Sequence, residues 1–442
     1  MLNESSTIAA ISTAKGVGGI GVVRVSGKRA LEIAKNICKA DLSPRKVEFT
    51  SFKDKKNVTL DQGIVIYFPS PSSFTGEDIV EFQGHGGVMV LNLILNACLS
   101  FGAILAEPGE FTKRAFLNNK LDLSQAESVA DLINASTEAA AKSAINSLRG
   151  VFSNKINNLL KNLTELRIFV EACLDFPEED INFIDQGKVD EKLINLEKNV
   201  SEILNAARHG QLLRDGLKVA LIGQPNVGKS SLLNQLAKES KAIVTEIPGT
   251  TRDVVNETLQ LDGIPLRLVD TAGIRNSVDK IEAEGVKRAL AAGEEADLVI
   301  AVVDASEPDA MKQAESLFED ERTVVVFNKI DLVADTNLLI DGIQLSAKAG
   351  MGLQSLKEQL KKSLGLSPNT GSGFTARNRH IIALGSCKEA MAEARNLLIE
   401  QRAGELVAEE LRVCQQYLSE ITGEFSADDL LGEIFGSFCI GK

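Results

Sequence analysis

The chain has 442 residues, enough for two or three separately packed units. With 44% hydrophobic and 25% charged residues it is not a disordered polymer, and a net charge of −13 rules out general attraction to nucleic acid. Any RNA contact needs a local basic patch. Lys113-Arg114 and Arg377-Asn-Arg-His380 are the candidates, although such runs more often form a solvated polar face.

Residues 1 to about 118 read as a small α/β unit. Ile8–Ile11 and Ile20–Val25 are strand-like and flank the glycine-rich turn Lys15–Gly19. No helix opens directly from Gly16–Gly21, so a tight hairpin is expected there rather than a dinucleotide fingerprint. Arg29–Ile37 has helical periodicity, Gly63–Phe68 and Asp78–Phe82 read as strands, and an amphipathic helix runs from Val88 to Cys98. His85, set between glycines, is more often structural than catalytic in such a place.

From Leu121 to about Leu213 apolar residues recur at helical spacing, at 129, 132, 133, 145 and 148 and again at 159, 163, 166 and 170. Pro177 and the acidic Glu178–Asp180 run break two helices, and helix resumes over Val189–Arg208. The same spacing returns in Arg379–Ile421, after the flexible Pro368–Gly373 stretch. The pattern predicts a helical unit made of two distant segments, 119–214 and 367–442, with residues 215–366 inserted between them. A homodimer seam would leave the same stripes.

The inserted segment carries the chemistry. Apolar Leu217–Ile222 leads into Gly223-Gln-Pro-Asn226-Val227-Gly228-Lys229-Ser230, and the helix-like Ser231–Ala237 follows. That is the strand, loop and helix context of a phosphate-binding P-loop: backbone amides turn toward the anion and the helix N-terminus adds its dipole. Lys229 reaches the β- and γ-phosphates, and the Ser230 hydroxyl ligates Mg²⁺. Asp270-Thr271-Ala272-Gly273 closes the strand-like Leu266–Val269, its carboxylate placed to hold Mg²⁺ through water and its glycine amide to meet the γ-phosphate. Asn328-Lys329-Ile330-Asp331 follows buried Thr323–Phe327. Asp331 accepts both N–H donors of guanine, and Asn328 faces the O6/N7 edge. Adenine lacks that donor pair and is rejected. Ser346-Ala347-Lys348 closes over the base. Thr251, in the loop Thr245-Glu246-Ile247-Pro248-Gly249-Thr250-Thr251, offers a second hydroxyl to Mg²⁺. Five ordered elements predict a guanine-nucleotide domain, with an adenine-using ATPase as the weaker alternative.

Ile274 follows Gly273, where Ras-type enzymes place the water-orienting glutamine, so that route is closed. The charge growing in the transition state needs another partner. Asn226 offers an oxygen for a monovalent cation, with carbonyls of the 245–251 loop beside it. Arg252 or Arg275 as a finger competes with that reading. Glu282 is a candidate water-orienting carboxylate, although a surface role is commoner.

No apolar run approaches 18 residues and no basic-then-apolar leader opens the chain, so neither a membrane span nor a secretory signal is expected. Six cysteines (38, 98, 173, 387, 414, 439) lack CxxC spacing, which speaks against a zinc site or disulfide framework and fits a reducing cytoplasm. The end Cys439-Ile-Gly-Lys442 is a poor prenylation box. A buried tail cysteine is the plain reading of Cys439. A thiol activated by the nearby Lys442 ammonium is the sharper one.

Over essentially its whole length the chain resembles the MnmE or TrmE family of tRNA-modification GTPases. The likeness rests on Gly18–Arg24, Phe74–Asp78, His85–Gly87, Pro108–Ala115, Asn118–Glu127, the nucleotide motifs above and Phe438–Lys442. It implies an N-terminal α/β folate-binding-like domain over 1–118, a discontinuous helical domain and an inserted P-loop, Ras-like GTPase domain. The α/β domain would dimerise and hold 5-formyl- or methylene-tetrahydrofolate through Arg24, Glu81, Lys120 and Lys442. The family's K⁺ ligands match Asn226, Thr245, Ile247 and Thr250, its water-orienting glutamate matches Glu282, and a cysteine required for modification matches Cys439. The resemblance also implies an FAD- and NADH-using MnmG/GidA-type partner in a heterotetramer. Together they would install aminomethyl or carboxymethylaminomethyl groups at C5 of the wobble uridine of certain tRNAs. A ribosome-assembly GTPase acting as an RNA-binding module is the alternative. Its usual GxxG-bearing basic domain is not visible after Gly365, where the chain is acidic and helical.

Overall fold

A computed structural model describes residues 6–14, 16–175, 188–239, 259–261, 263–268, 296–315, 322–333, 342–363, 373–401, 403–424 and 428–441. The first sheet has the order β3-β4-β5-β2-β1-β6. Its strands are β1 (Ile8–Ile11), β2 (Gly18–Ser26), β3 (Val47–Lys53), β4 (Thr59–Phe68), β5 (Ile79–Gly86) and β6 (Ile104–Leu105). Only the β1–β6 pair is parallel. β1 and β2 pair antiparallel as expected, and the pairing of β2 with β5 has an irregularity between Gly18 and Gly21.

Side chains alternate across a strand, so Val23 and Val25 enter the core under α1 (Ala30–Cys38) and α2 (Val88–Ser100) while Arg24 lies on the opposite face. α1 buries Ala30, Ile33, Ala34 and Ile37, the i, i+3, i+4, i+7 stripe of an amphipathic helix. His85 sits at the end of β5, mostly exposed. Asp61 ties it down, accepting from its backbone N–H at 2.8 Å and lying 2.7 Å from its ring Nδ1.

The second sheet has the order β12-β11-β10-β7-β9-β8. It comprises β7 (Leu217–Ile222), β8 (Leu259–Leu261), β9 (Ile264–Leu268), β10 (Leu298–Asp304), β11 (Thr323–Asn328) and β12 (Ile343–Gln344). All its pairs are parallel except β8–β9. Every residue of β10 is buried, the uninterrupted apolar run of a central parallel strand covered on both faces.

Between the sheets in sequence lie α3 (Glu110–Leu117), α4 (Leu123–Asn134), α5 (Glu138–Leu148), α6 (Val151–Asp175) and α7 (Lys188–Asp215). α8 (Lys229–Glu239), α9 (Ala310–Glu315) and α10 (Leu353–Ser363) flank the second sheet. After it come α11 (Asn378–Asn396), α12 (Gly404–Thr422) and α13 (Asp428–Gly436). Helices from both sides share one core: Leu159, Leu163 and Leu166 of α6 and Leu193 and Leu196 of α7 pack with Leu384 and Met391 of α11 and Leu411 and Leu418 of α12. The stripe at 159, 163, 166 and 170 and that of Arg379–Ile421 therefore meet within one chain. Positions 129, 132, 133, 145 and 148 stay outside this core, with Ile133 and Ile145 exposed, because α4 and α5 bury their small residues such as Ala126, Ala140 and Ala144 instead. Pro177 and Glu178–Asp180 lie outside the described residues, as does all of Pro368–Gly373 except Gly373.

The arginines of the two basic runs are held by carboxylates of the chain rather than lying on a solvated face. Arg379 holds Glu127 of α4 through Nε–Oε1 at 2.8 Å and Nη2–Oε2 at 2.9 Å. Arg377 reaches Asp131, one turn along α4, at 2.9 Å, and Arg214 at the end of α7 reaches the same carboxylate at 2.8 Å. His380 is buried, its Nδ1 accepting from the Arg377 N–H at 3.1 Å, which leaves the proton on Nε2, 3.0 Å from Glu127. Burial and the neighbouring Arg379 keep this imidazole below its ordinary pKa. Burial opposes ionisation of Glu127, but His380 and Arg379 outweigh it and hold the carboxyl far below the usual range. Arg114 is likewise enclosed, with Glu110 at 2.8 Å and Glu77 at 3.1 Å. The run Arg377–His380 gives no hint in sequence that carboxylates about 250 residues away will claim it.

Candidate functional site

The P-loop links β7 to α8 at the carboxyl end of the parallel strands, where open α/β sheets place their ligands. Residues 223–226 are exposed there, while Val227 is buried and pins the loop to the sheet core. Asn226 takes the left-handed conformation (φ 63°), and so does Lys329 (φ 65°) across the site. Such angles are uncommon outside glycine, and asparagine tolerates them better than most side chains. Gly228 (φ 98°) admits no side chain, since a Cβ would lie 2.2 Å from Asn328 Nδ2. Lys229, the first residue of α8, donates from Nζ to the Gly223 and Gln224 carbonyls, both at 2.6 Å. Partial burial lowers its pKa from the ordinary lysine value. Ser230 and Ser231 follow in the first turn, both exposed.

Asn328 is buried and joins two loops. Its Nδ2 donates to the Val227 carbonyl at 2.7 Å, and its Oδ1 accepts from the Ala347 N–H at 2.9 Å. One amide hydrogen is thus committed to the P-loop, and neither of these two bonds uses the other. Ser346 holds its own turn, accepting from the Ala349 N–H at 3.1 Å. Asp331 and Lys348 are exposed at the rim. Lys329 meets Asp304 at 2.5 Å, a partner that sequence reasoning missed. Burial opposes ionisation of Asp304, but Lys329 and Ser306 hold its carboxyl below the usual value. The signal available was a single carboxylate closing an otherwise apolar strand.

A second constellation lies on the outer face of the first sheet. Arg24 and Glu81 face each other across β2 and β5, with Nη2–Oε1 at 2.8 Å and Nε–Oε1 at 2.9 Å. The guanidinium also sits 5.8 Å from the Phe74 ring centre and 5.7 Å from that of Phe111, within cation–π range. Lys120 Nζ donates to the Pro71 carbonyl at 3.1 Å. The chain end docks on the same unit: Ile440 bridges Pro108, and Gly109 N–H donates to the Cys439 carbonyl at 3.3 Å. Gly441 passes so close to β1 that a Cβ there would lie 2.3 Å from the Ile11 carbonyl. Phe438 packs with Leu123 and Ala126 of α4 and with Phe435 of α13. Cys439 beside it is exposed, contrary to a buried tail cysteine, because the cluster spends its apolar surface on Phe438.

Comparison with known proteins bears on both places. A family model described as "MnmE helical domain" matches residues 123–439, and one described as "GTP-binding protein TrmE N-terminus" matches residues 7–120. The tRNA modification GTPase MnmE of Erwinia tasmaniensis is 50% identical over 454 residues, and that of Ectopseudomonas mendocina 50% over 455, each alignment spanning 100% of both chains. The chain belongs to the MnmE family. It is accordingly a GTP hydrolase acting in tRNA modification. The FeoB G-domain from Methanococcus jannaschii is 25% identical and covers 34% of this chain and 98% of its own, but its TM-score of 0.25 is too low to inform the fold.

Several residues expected in the site lie outside the described residues: Thr245, Glu246, Ile247, Pro248, Gly249, Thr250, Thr251, Arg252, Asp270, Thr271, Ala272, Gly273, Arg275, Glu282 and Lys442. All six cysteines are free, and no group of three or more His, Cys, Asp or Glu among the described residues gathers to hold a metal. No described helix is long and apolar enough to cross a membrane.

Proposed function

We propose that this GTPase acts at C5 of the wobble uridine of certain tRNAs in the cytoplasm. It would work there as a homodimer with an FAD-dependent MnmG/GidA-type partner to install aminomethyl or carboxymethylaminomethyl groups. The observation that best supports this is the docking of Ile440 and Gly441, next to Cys439, on the unit that carries the Arg24–Glu81 pair. The division proposed is 1–118, 119–214, 215–366 and 367–442.

A formyl- or methylene-tetrahydrofolate would supply the one-carbon unit. Its acidic groups suit Arg24, Lys120 and Lys442. Both Arg24 contacts go to one Glu81 oxygen, so the other can accept from a pterin N–H. Phe74 and Phe111 supply flat apolar faces beside it. At the nucleotide, Lys229 counters phosphate charge, Ser230 and Thr251 ligate Mg²⁺, and Asp270 holds it through water. Asn226, with Thr245, Ile247 and Thr250, would hold K⁺, which takes the place of an arginine finger, and Glu282 would orient the attacking water.

Two outcomes are expected. Cys439→Ser abolishes the modified uridine, read by mass analysis of tRNA nucleosides from a strain carrying only that variant, while GTP turnover stays within about twofold, because Cys439 belongs to none of the nucleotide motifs. Loss of both activities would assign Cys439 to folding instead. GTP turnover in K⁺ exceeds that in Na⁺ by at least about tenfold, the order expected when one transition-state charge partner is removed. Equal rates would favour Arg252 or Arg275.

A further inference from the structure

One contact joins the second sheet to helices outside it at the tip of a hairpin that the sequence places between two expected nucleotide motifs. β8 and β9 form an antiparallel hairpin, with Leu261 opposite Ile264. In sequence the hairpin begins after the 245–251 loop and ends just before Asp270, both expected GTP contacts. β9 also pairs with β7, the strand that leads into the P-loop, so the hairpin is tied in sequence and in the sheet to the nucleotide motifs.

The tip rests on the start of α5. Thr137 Oγ1 donates to the Gly263 carbonyl at 2.7 Å, and a Cβ on Gly263 (φ 89°) would lie 2.7 Å from Ala139 Cβ. The same hydroxyl accepts from the Ala140 N–H at 3.1 Å and so caps α5. A hydroxyl can do both because it has one proton and two lone pairs. α4 precedes α5 across a short turn. Its Asp131 grips Arg214, just before β7 and the P-loop, while its Ala130 and Ile133 line a cleft with Cys439.

We propose that Thr137 is a positioning residue that ties the β8–β9 hairpin to α4 and α5, making tRNA modification depend on the nucleotide state. The part of this path that ends at Cys439 rests on the function proposed above.

Thr137→Asp and Thr137→Ser separate the two bonds of this hydroxyl. Aspartate caps a helix as well as threonine but has no proton for Gly263, whereas serine keeps both bonds. Each purified variant is normalised to the sites titrated by a fluorescent GDP analogue, so unfolded protein drops out of the comparison. GTP turnover is measured directly. Modification is measured as modified wobble uridine formed in an extract of a strain lacking its own copy. T137D is expected to keep turnover within twofold and to lose at least fivefold in modification, with T137S like wild type. Wild-type modification by T137D overturns the proposal, as does a T137S defect equal to that of T137D or a fall in turnover that matches the fall in modification. If T137D binds no nucleotide, Ala139→Leu, which pushes the tip away and leaves the cap intact, is judged by the same limits. C439S in the same assay keeps the two readings apart: full modification by C439S removes the chain-end assignment, and T137D still decides the contact.

Discussion

Lys229→Ala lowers GTP turnover at least about 100-fold, the loss expected when a preorganised positive charge aimed at transferring phosphate is removed. Its ammonium is held at the mouth of the loop by two carbonyls at 2.6 Å, so the charge is in place before any phosphate arrives. The side chain is only partly buried and caps no core, so the unfolding temperature should move by no more than about 2 °C, as for most substitutions away from packed features. Phosphate release and a thermal melt on the same sample check both halves. A large fall in the melting temperature would make Lys229 a structural residue, and unchanged turnover would remove the P-loop assignment.

The second large effect is on stability. Glu127→Ala leaves Arg379 enclosed without its carboxylate, while Arg377 keeps Asp131, and breaking a buried ion pair from one side costs about 3–5 kcal/mol. For units of this size that corresponds to a fall of roughly 10 °C or more in unfolding temperature. Replacing Glu127 and Arg379 together by leucine should restore much of the loss, since a packed apolar pair is about as stable as a buried ionic one. The pH dependence has a definite sign. The folded carboxyl titrates below its unfolded value, so its contribution is complete above about pH 4.3 and fades as the pH falls further. Melting curves of wild type and E127A should therefore converge in acid. A constant gap from pH 7 to pH 3 would show that the loss comes from packing alone.

The difference between Glu127 and the P-loop shows what a sequence holds. The strand, glycine loop and helix of 217–239 are contiguous, and each residue's part follows from its neighbours, so local chemistry suffices to read them. The periodic apolar positions of α6, α7, α11 and α12 were legible for the same reason. A 3.6-residue repeat declares a buried face even when its partner is far away in the chain. Glu127 and Arg379 carry no such repeat. They are 252 residues apart, and charged residues at those positions look like any solvated helix surface.

By itself, then, the sequence determined the guanine-nucleotide cradle, the alternation of the first sheet and the helical stripes on either side of the insertion, because hydrophobic period and loop chemistry act over a few residues. Only the tertiary structure decided that Asn328 joins the P-loop to the Ala347 turn, that Arg24 is held between Glu81 and two phenylalanine rings, and that Cys439 lies exposed beside α4. Each of these is a pairing between segments that meet only when the chain closes on itself. A charge or a polar group has no preference for one distant partner over another until packing removes the water that would otherwise satisfy it.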